Sequence, residues 1–184
     1  ANIHRNLELV QGSIGAVGRE FVQVFQVHGA SVHVLTSGRK SHPTHNDTKA
    51  GNVLFDTGTR KALAVIDLDT VMPGTILSDF GDMVRTFAPD CQEDDPANVA
   101  LRRDVLEALK EGFLQETEEF LNASEKENLM LGAAWITGEQ ALRFLTDWLA
   151  GDVYYKIKHP EHNLVRTRNQ LALLEAIKIE MTGA

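Results

Sequence analysis

A single cysteine, Cys91, stands in the 184 residues, so no internal disulfide can form, and that scarcity suits a reducing compartment. No apolar run approaches the roughly 20 residues that span a bilayer, so no membrane partner is expected. The chain opens Ala-Asn-Ile, without a methionine or a charged-then-apolar leader; a cytoplasmic location and a piece of a longer protein are the expectations. Positive charge is also short: 18 Lys and Arg face 26 Asp and Glu, a net of −8. A surface of that sign repels phosphate and excludes bulk nucleic-acid binding, while a local basic pocket can still hold a small phosphorylated ligand. Internal repeats and low-complexity tracts are missing. His42 and His45 beside Asp47 lack the further clustered ligands of a zinc site. Cys91 is followed by Gln-Glu-Asp-Asp, not by the x-Pro-x-Arg from which sulfatases build their nucleophile. "GSIGAVG" (Gly12, Gly15, Gly18) lacks the Gly-Lys-Ser/Thr ending of a phosphate loop and reads as a connector.

What is present is a 43% apolar chain, enough for one domain with a sizeable core. "GREFVQVFQVHGA" spaces Phe21, Val22, Phe25 and Val27 like a helix ending near Gly29, and "SVHVL" predicts a short strand. "NVLFD" and "KALAVIDLD", joined across Thr57-Gly58-Thr59, predict a β-hairpin. From there the pattern turns helical. "SDFGDMVRTFA" opens with a Ser/Asp cap, and an acidic, solvated loop around Glu93 to Asp95 separates it from "VALRRDVLEALKEGFLQETEEFL". "SEKENLMLGAAWITGEQALRFLTDWLAG" reads as one long helix with a capping box at Ser124 and Glu127. His159 and His162 flank Pro160 in an expected surface loop, and "NLVRTRNQLALLEAIKIEM" closes the chain as an amphipathic helix. Phe113, Leu114, Phe120, Trp135, Phe144 and Trp148 fall at helical spacings and are expected in the core. The fold class is α+β, mostly helical, around one polar hairpin.

That hairpin follows "HPTHNDTKAGN". Asp47 and Asn52 lie five apart, and Asp67 falls at the far end of the second strand. A hairpin folds back on itself, so Asn52 and Asp67 are expected side by side with Asp47 nearby. Two hard oxygen donors suit Mg²⁺, and a carboxylate beside it can take the proton of an attacking hydroxyl. Charge neutralisation, alignment and a base are the parts that phosphoryl transfer requires.

"HNDTKAGNVLFD" followed by "AVIDLDTVMPG" resembles the catalytic loop and metal strand of the aminoglycoside phosphotransferase and choline kinase superfamily, which shares the protein-kinase architecture. "VIDLDTVMPGTILSDFGD" and "ALRFLTDWLAGDVYYKIKHPEHNLVRTRNQL" are most similar to its N-acetylhexosamine 1-kinase-like branch. The resemblance runs from about Pro43 onward. It implies a protein-kinase-like C-terminal lobe over residues 41–184, with residues 1–40 a connector helix and strand from an N-terminal lobe of the same protein. Those residues are too few for such a lobe, so the given chain is expected to be inactive alone, as a fragment of a longer enzyme or a degenerate protein. It also implies ATP and Mg²⁺ as cofactors, with Asp47 as catalytic base and Asn52 and Asp67 as magnesium ligands. His45 would brace the loop and Lys49 steady the transferring phosphate. Arg143 and Asp147, four apart on one helix face, and Tyr154 would reach an acceptor sugar; an exposed Glu139/Arg143/Asp147 ion-pair ladder is the plain alternative.

The triplet Asp79-Phe80-Gly81 spells the metal-binding signature of protein kinases, but it lies twelve residues beyond Asp67 at a helix start. There an Asp serves as a cap and ties the catalytic loop in place. Asp69 becomes a secondary metal contact only if the strand continues through it. The expected reaction is ATP-dependent phosphorylation of a small-molecule hydroxyl, in the preferred version the anomeric hydroxyl of an N-acetylhexosamine. Kinases for aminoglycosides, choline or other amino alcohols, and a non-catalytic binding lobe, are the alternatives.

Overall fold

The computed structural model describes the backbone of residues 20–26 and 30–36 and the whole of residues 42–183. Among the described residues two strands come first, β1 (Glu20–Gln26) and β2 (Ala30–Thr36), antiparallel in the register Glu20↔Thr36 to Gln26↔Ala30. The helix expected over "GREFVQVFQVHGA" is therefore a strand over Glu20–Gln26. The cause is composition and a partner. Val and Phe favour a pleated surface, four clustered apolar positions cannot separate helical from alternating period, and the seven-residue ladder with β2 decides the matter. The glycine-rich stretch Gly12 to Gly18 lies outside the described residues.

Two small antiparallel pairs follow. β3 (His42–Thr44) pairs with β6 (Met72–Gly74), and between them β4 (Val53–Phe55) pairs with β5 (Ala62–Val65). The β4–β5 turn forms where expected because the Asp56 carboxylate accepts the N–H groups of Gly58 (3.1 Å) and Thr59 (2.6 Å). β5 ends at Val65, well short of Asp69. Asp67 takes a left-handed backbone (φ 64°) and Asp69 enters a one-turn 3-10 segment, Leu68–Thr70. The strand continuation that the Asp69 metal contact needed does not occur.

Among the described residues five helices make the body: α1 (Ile76–Phe87), α2 (Arg103–Thr117), α3 (Ala123–Glu127), α4 (Leu129–Leu149) and α5 (His162–Thr182). The cap of α1 is Thr75, which accepts from the Leu77 N–H, rather than the Ser/Asp pair inside the first turn. The capping box sits two residues earlier than expected, at Asn122 and Glu125, with reciprocal bonds of 3.0 and 2.9 Å. The expected single helix is broken at Asn128, whose side-chain amide donates to the Ser124 carbonyl (2.7 Å). Side chains of this type compete with the helix for its own backbone groups.

Ile76, Leu77, Phe80 and Val84 of α1 are buried against Leu129 and Ala133 of α4 and Leu173 and Ile177 of α5. Phe80 meets Phe113 of α2 with ring centroids 5.1 Å apart. Phe120, by contrast, is half exposed and lies against the His42 ring, while His162, expected on the surface, is fully buried. α1 and α4 touch through glycines. A Cβ on Gly81 would strike the Gly132 carbonyl, with its carbon at 2.6 Å, and one on Gly132 would strike the Leu77 carbonyl, with its carbon at 2.9 Å. Backbone cannot yield as a side chain does. Gly81→Ala is expected to cost about 1–3 kcal/mol through overpacking, read as a lower urea midpoint; an unchanged midpoint contradicts the close approach.

Candidate active site

The His45–Asn52 loop leaves β3 and is fastened to α1. Asp79, buried in the first turn of α1, accepts the His45 N–H at Oδ2 and the Asn46 N–H at Oδ1, both at 2.8 Å. Thr48 Oγ1 donates to the Asp79 carbonyl (2.6 Å), and the Ala50 N–H donates to Thr86 Oγ1 (3.1 Å). Burial pushes the Asp79 carboxyl above its usual range, against the pull of the two amide bonds. With both oxygens committed to the loop, Asp79 is an anchor. The kinase-like triplet that it opens holds backbone.

Asn46 adopts a left-handed backbone (φ 60°), which Asn tolerates better than most residues. Its side chain is held from three sides. Nδ2 donates to the Thr70 carbonyl (3.1 Å), while Oδ1 accepts from Thr44 Oγ1 and Ser78 Oγ, each at 3.1 Å. The turn at Asn46 presents Asp47 to the open side. Asn52, in the 3-10 turn Ala50–Asn52, is buried and donates from Nδ2 to both the carbonyl and Oδ2 of Asp47, each at 2.9 Å. Lys49 Nζ lies 2.6 Å from the same Oδ2 and 3.8 Å from Oδ2 of Asp67.

Pairing of Val53 with Val65, together with the Ile66 N–H bond to the Asn52 carbonyl (2.9 Å), carries Asp67 beside Asn52. His45 braces this junction, its Nε2 being 3.1 Å from the Ile66 carbonyl. Asp47, Lys49, Asn52 and Asp67 thus share one locale. The donor set also suits a hard cation. Asn52 gives its amide nitrogen to Asp47 and keeps its carbonyl oxygen, and the Asp67 carboxylate is about half exposed, at 47%. Among the described residues no three or more His, Cys, Asp or Glu converge as a metal cage. Mg²⁺ needs none, because it binds through one or two carboxylates together with waters and substrate phosphates.

Beside Asp47 and Lys49 lies a cavity of about 450 Å³. Its far walls come from α4, α5 and the segment between them, with Gln140, Arg143, Phe144, Tyr154, Tyr155 and Arg166 facing it. Arg143 lies over the Tyr155 ring (5.7 Å to the centroid), while the Asp147 carboxylate bonds to the Val153, Tyr154 and Tyr155 amides and to Asn163 instead. The ion-pair ladder considered from sequence is absent at that step. Burial pushes the Tyr155 phenol above its usual range, against the opposing pull of Arg143 and the Gln140 hydrogen bond, so the hydroxyl stays neutral at physiological pH.

Asp147 itself does not reach the cavity. It is buried, and its carboxylate is occupied by backbone N–H groups of the segment that follows α4. The acceptor contact expected for Asp147 therefore has no counterpart in the cavity lining, and its carboxylate bonds run to that segment and to Asn163.

Sequence reading missed several cavity residues. Arg85 of α1 pairs with Asp82 (2.9 Å) and with Glu93 (3.0 Å), and Glu93 also lies 3.7 Å from Arg166. The acidic loop is accordingly a clasp between α1 and α5 rather than a solvated run. The Asp82/Arg85 spacing of three was a usable signal; nothing local joined Glu93 to Arg166.

No helix among the described residues is long and apolar enough to cross a membrane. The model of the phosphotransferase enzyme family (APH) matches residues 14–123, more than half of the chain. The match begins well before Pro43, so it takes in β1 and β2 as well as the Asp47 loop and α1. By that match the chain belongs to the phosphotransferase enzyme family, whose members act on small-molecule substrates.

Proposed function

We propose that this phosphotransferase transfers the γ-phosphoryl group of ATP to a sugar hydroxyl, with the anomeric hydroxyl of an N-acetylhexosamine as the preferred acceptor. The observation that carries the reading is the Asp47 carboxylate, held by Asn52 and Lys49 at the mouth of a cavity large enough for a monosaccharide. Asp47 takes the proton of the attacking hydroxyl as the O–P bond forms. Lys49, between the two carboxylates, lies where it can follow the transferring phosphoryl group. Asn52 and Asp67 would hold Mg²⁺, which supplies charge neutralisation on the nucleotide phosphates when bound. The rest is alignment in a fixed geometry rather than covalent chemistry.

The cavity lining favours a sugar over an amine. Lys49, Arg85, Arg143, Lys156 and Arg166 face it, against Asp47 and Glu93. A polycationic aminoglycoside or a choline-like ammonium meets repulsion there, while Arg143 and the Tyr154 and Tyr155 rings suit hydroxyls, an acetamide carbonyl and a sugar face. The β4–β5 ribbon supports the remaining part of the reading, an N-terminal lobe that completes the ATP site. Leu54, Phe55, Leu63, Val65 and Ile66 are all exposed on it, a patch of the kind that marks an interaction surface.

The test is phosphate transfer by the intact protein across an acceptor panel, followed by ³¹P NMR. N-acetylhexosamines are expected to give a sugar 1-phosphate, whereas turnover confined to aminoglycosides or amino alcohols overturns the sugar assignment. Asp67→Asn is expected to raise the Mg²⁺ concentration for half-maximal rate about tenfold or more, equivalent to about 1.4 kcal/mol. An unchanged magnesium dependence removes Asp67 from the metal site.

A further inference from the structure

The segment that follows α4 gives Tyr154, Tyr155 and Lys156 to one wall of the cavity, and it is wrapped around a single carboxylate. Asp147, in the last turn of α4, accepts the N–H of Val153 (3.0 Å) and of Tyr154 (2.8 Å) at Oδ1. Its Oδ2 accepts the N–H of Tyr155 (2.9 Å) and the side-chain amide of Asn163 (2.9 Å). Three consecutive backbone donors therefore converge on one buried charge. The chain reaches that arrangement through two left-handed residues, Gly151 (φ 92°) and Asp152 (φ 58°), and the Asp152 N–H returns to the Asp147 carbonyl (2.8 Å). Asn163, fully buried at the start of α5, ties Asp147 to the Asp152 carboxylate (2.8 Å).

What the carboxylate holds is the aromatic wall. Tyr154 and Tyr155 meet edge to face with centroids 4.8 Å apart, and Tyr155 lies 4.8 Å from Phe144. Arg166 Nη1 donates to the Lys156 carbonyl (3.3 Å) and to Asn163 Oδ1 (3.1 Å), which extends the same framework to the cationic side. Hydrogen bonds to a carboxylate are about twice as strong as neutral ones. Other bonds hold the segment further along, from Gln140 to the Tyr155 hydroxyl (3.3 Å) and from the Lys158 N–H to His162 Nδ1 (3.1 Å), but the Val153, Tyr154 and Tyr155 amides all go to Asp147. Val153 and Tyr154 are largely exposed, so apolar burial does not define their place.

We propose that Asp147 is a positioning residue for acceptor binding: by collecting the Val153, Tyr154 and Tyr155 amides it sets where the two tyrosines stand. This deepens the sugar-kinase reading and rests on it. An asparagine at 147 has a single acceptor oxygen and turns an NH₂ toward donors, so at least one N–H must lose its partner. Distortion on the scale of an ångström at a binding wall weakens acceptor binding while leaving the Asp47 cluster in place.

The experiment compares the protein with Asp147→Asn and with Asn163→Ser, which removes one donor and keeps the carboxylate. Two readouts are taken: hydrogen exchange at residues 153–155, and the separate Michaelis constants for acceptor and ATP. For Asp147→Asn the account expects exchange at 153–155 at least tenfold faster with α1 unchanged, acceptor KM about tenfold higher, and ATP KM and kcat within about twofold. Asn163→Ser is expected to move the same quantities in the same direction by a smaller factor, and it decides the question if Asp147→Asn does not fold. Faster exchange with an unchanged acceptor KM makes Asp147 merely structural and overturns the proposal, as does unchanged exchange in both variants. A parent protein that phosphorylates no hydroxyl defeats the kinase reading instead, and the exchange data then stand or fall separately.

Discussion

Replacing Asp47 by asparagine is expected to lower kcat by about 10²–10⁴-fold, the usual contribution of a positioned general base. The Michaelis constant for ATP is expected to change by less than about threefold. Asparagine preserves shape, and its Oδ1 can still accept from the Asn52 amide, so the loop keeps its fold. What it loses is the acceptor for the hydroxyl proton and the close partner of Lys49 (2.6 Å). Lys49 retains Asp67 at 3.8 Å and is drawn toward it. Steady-state kinetics of the intact protein separate the two effects. A variant with kcat within about tenfold of the parent means that another group takes the proton, and the role of Asp47 is lost with it.

The second large effect belongs to Asp79. Asp79→Ala leaves the His45 and Asn46 N–H groups without acceptors in a part-buried place. Each orphaned buried donor costs about 1–3 kcal/mol, so a loss of about 2–6 kcal/mol in unfolding free energy is expected for the two, with kcat falling as the Asp47 loop drifts off α1. The rival assignment, Asp79 as metal ligand, predicts the opposite pattern: a raised magnesium requirement with stability unchanged. Denaturant unfolding and a magnesium titration on one variant tell them apart.

The pH dependence adds a sign. Burial raises the Asp79 carboxyl in the folded chain, so between the unfolded value near 3.8 and the raised one the folded state binds more protons. Stability from this group therefore falls as pH rises through that window and is flat above it. Asp79→Asn is expected to remove that slope, measured as the difference between the two unfolding profiles.

How far the sequence foretold this molecule depends on the range of the forces involved. The β4–β5 turn was legible because Asp56, Gly58 and Thr59 make their bonds within three residues. The approach of Asp47 to Asn52 was legible because a tight turn of five residues leaves little choice. Helix order was legible from periodicity, yet the helix ends were not. Thr75, Asn122 and Asn128 win their capping and breaking roles over nearby Ser78, Ser124 and Glu127 through geometry settled by the packing of α1 and by the His42–Glu125 contact (3.1 Å). β1 was misread because its periodicity is weak and its partner strand is what decides it. The exposed face of Phe120 and the buried ring of His162 depend on neighbours dozens of residues away, Asp94 among them at 3.2 Å.

The cavity shows the same division. Arg143 and Tyr154 face it, but the Arg85–Glu93–Arg166 clasp joins three separate elements and leaves no periodic trace. Asp147 is the instructive case. Its spacing from Arg143 suggested a shared face toward the ligand, and the short segment after α4 claimed its carboxylate first, because the N–H groups of an irregular segment have no ladder and need another acceptor.

The central claim is that Asp47, Asn52 and Asp67 act as one magnesium-dependent centre. Its most direct test is crystallography of the protein with Mn²⁺ and a non-hydrolysable ATP analogue, using the anomalous signal to place the metal. The account predicts a peak within coordination distance of an oxygen of Asn52 and of Asp67. A peak at Asp79, or one remote from both Asn52 and Asp67, contradicts it.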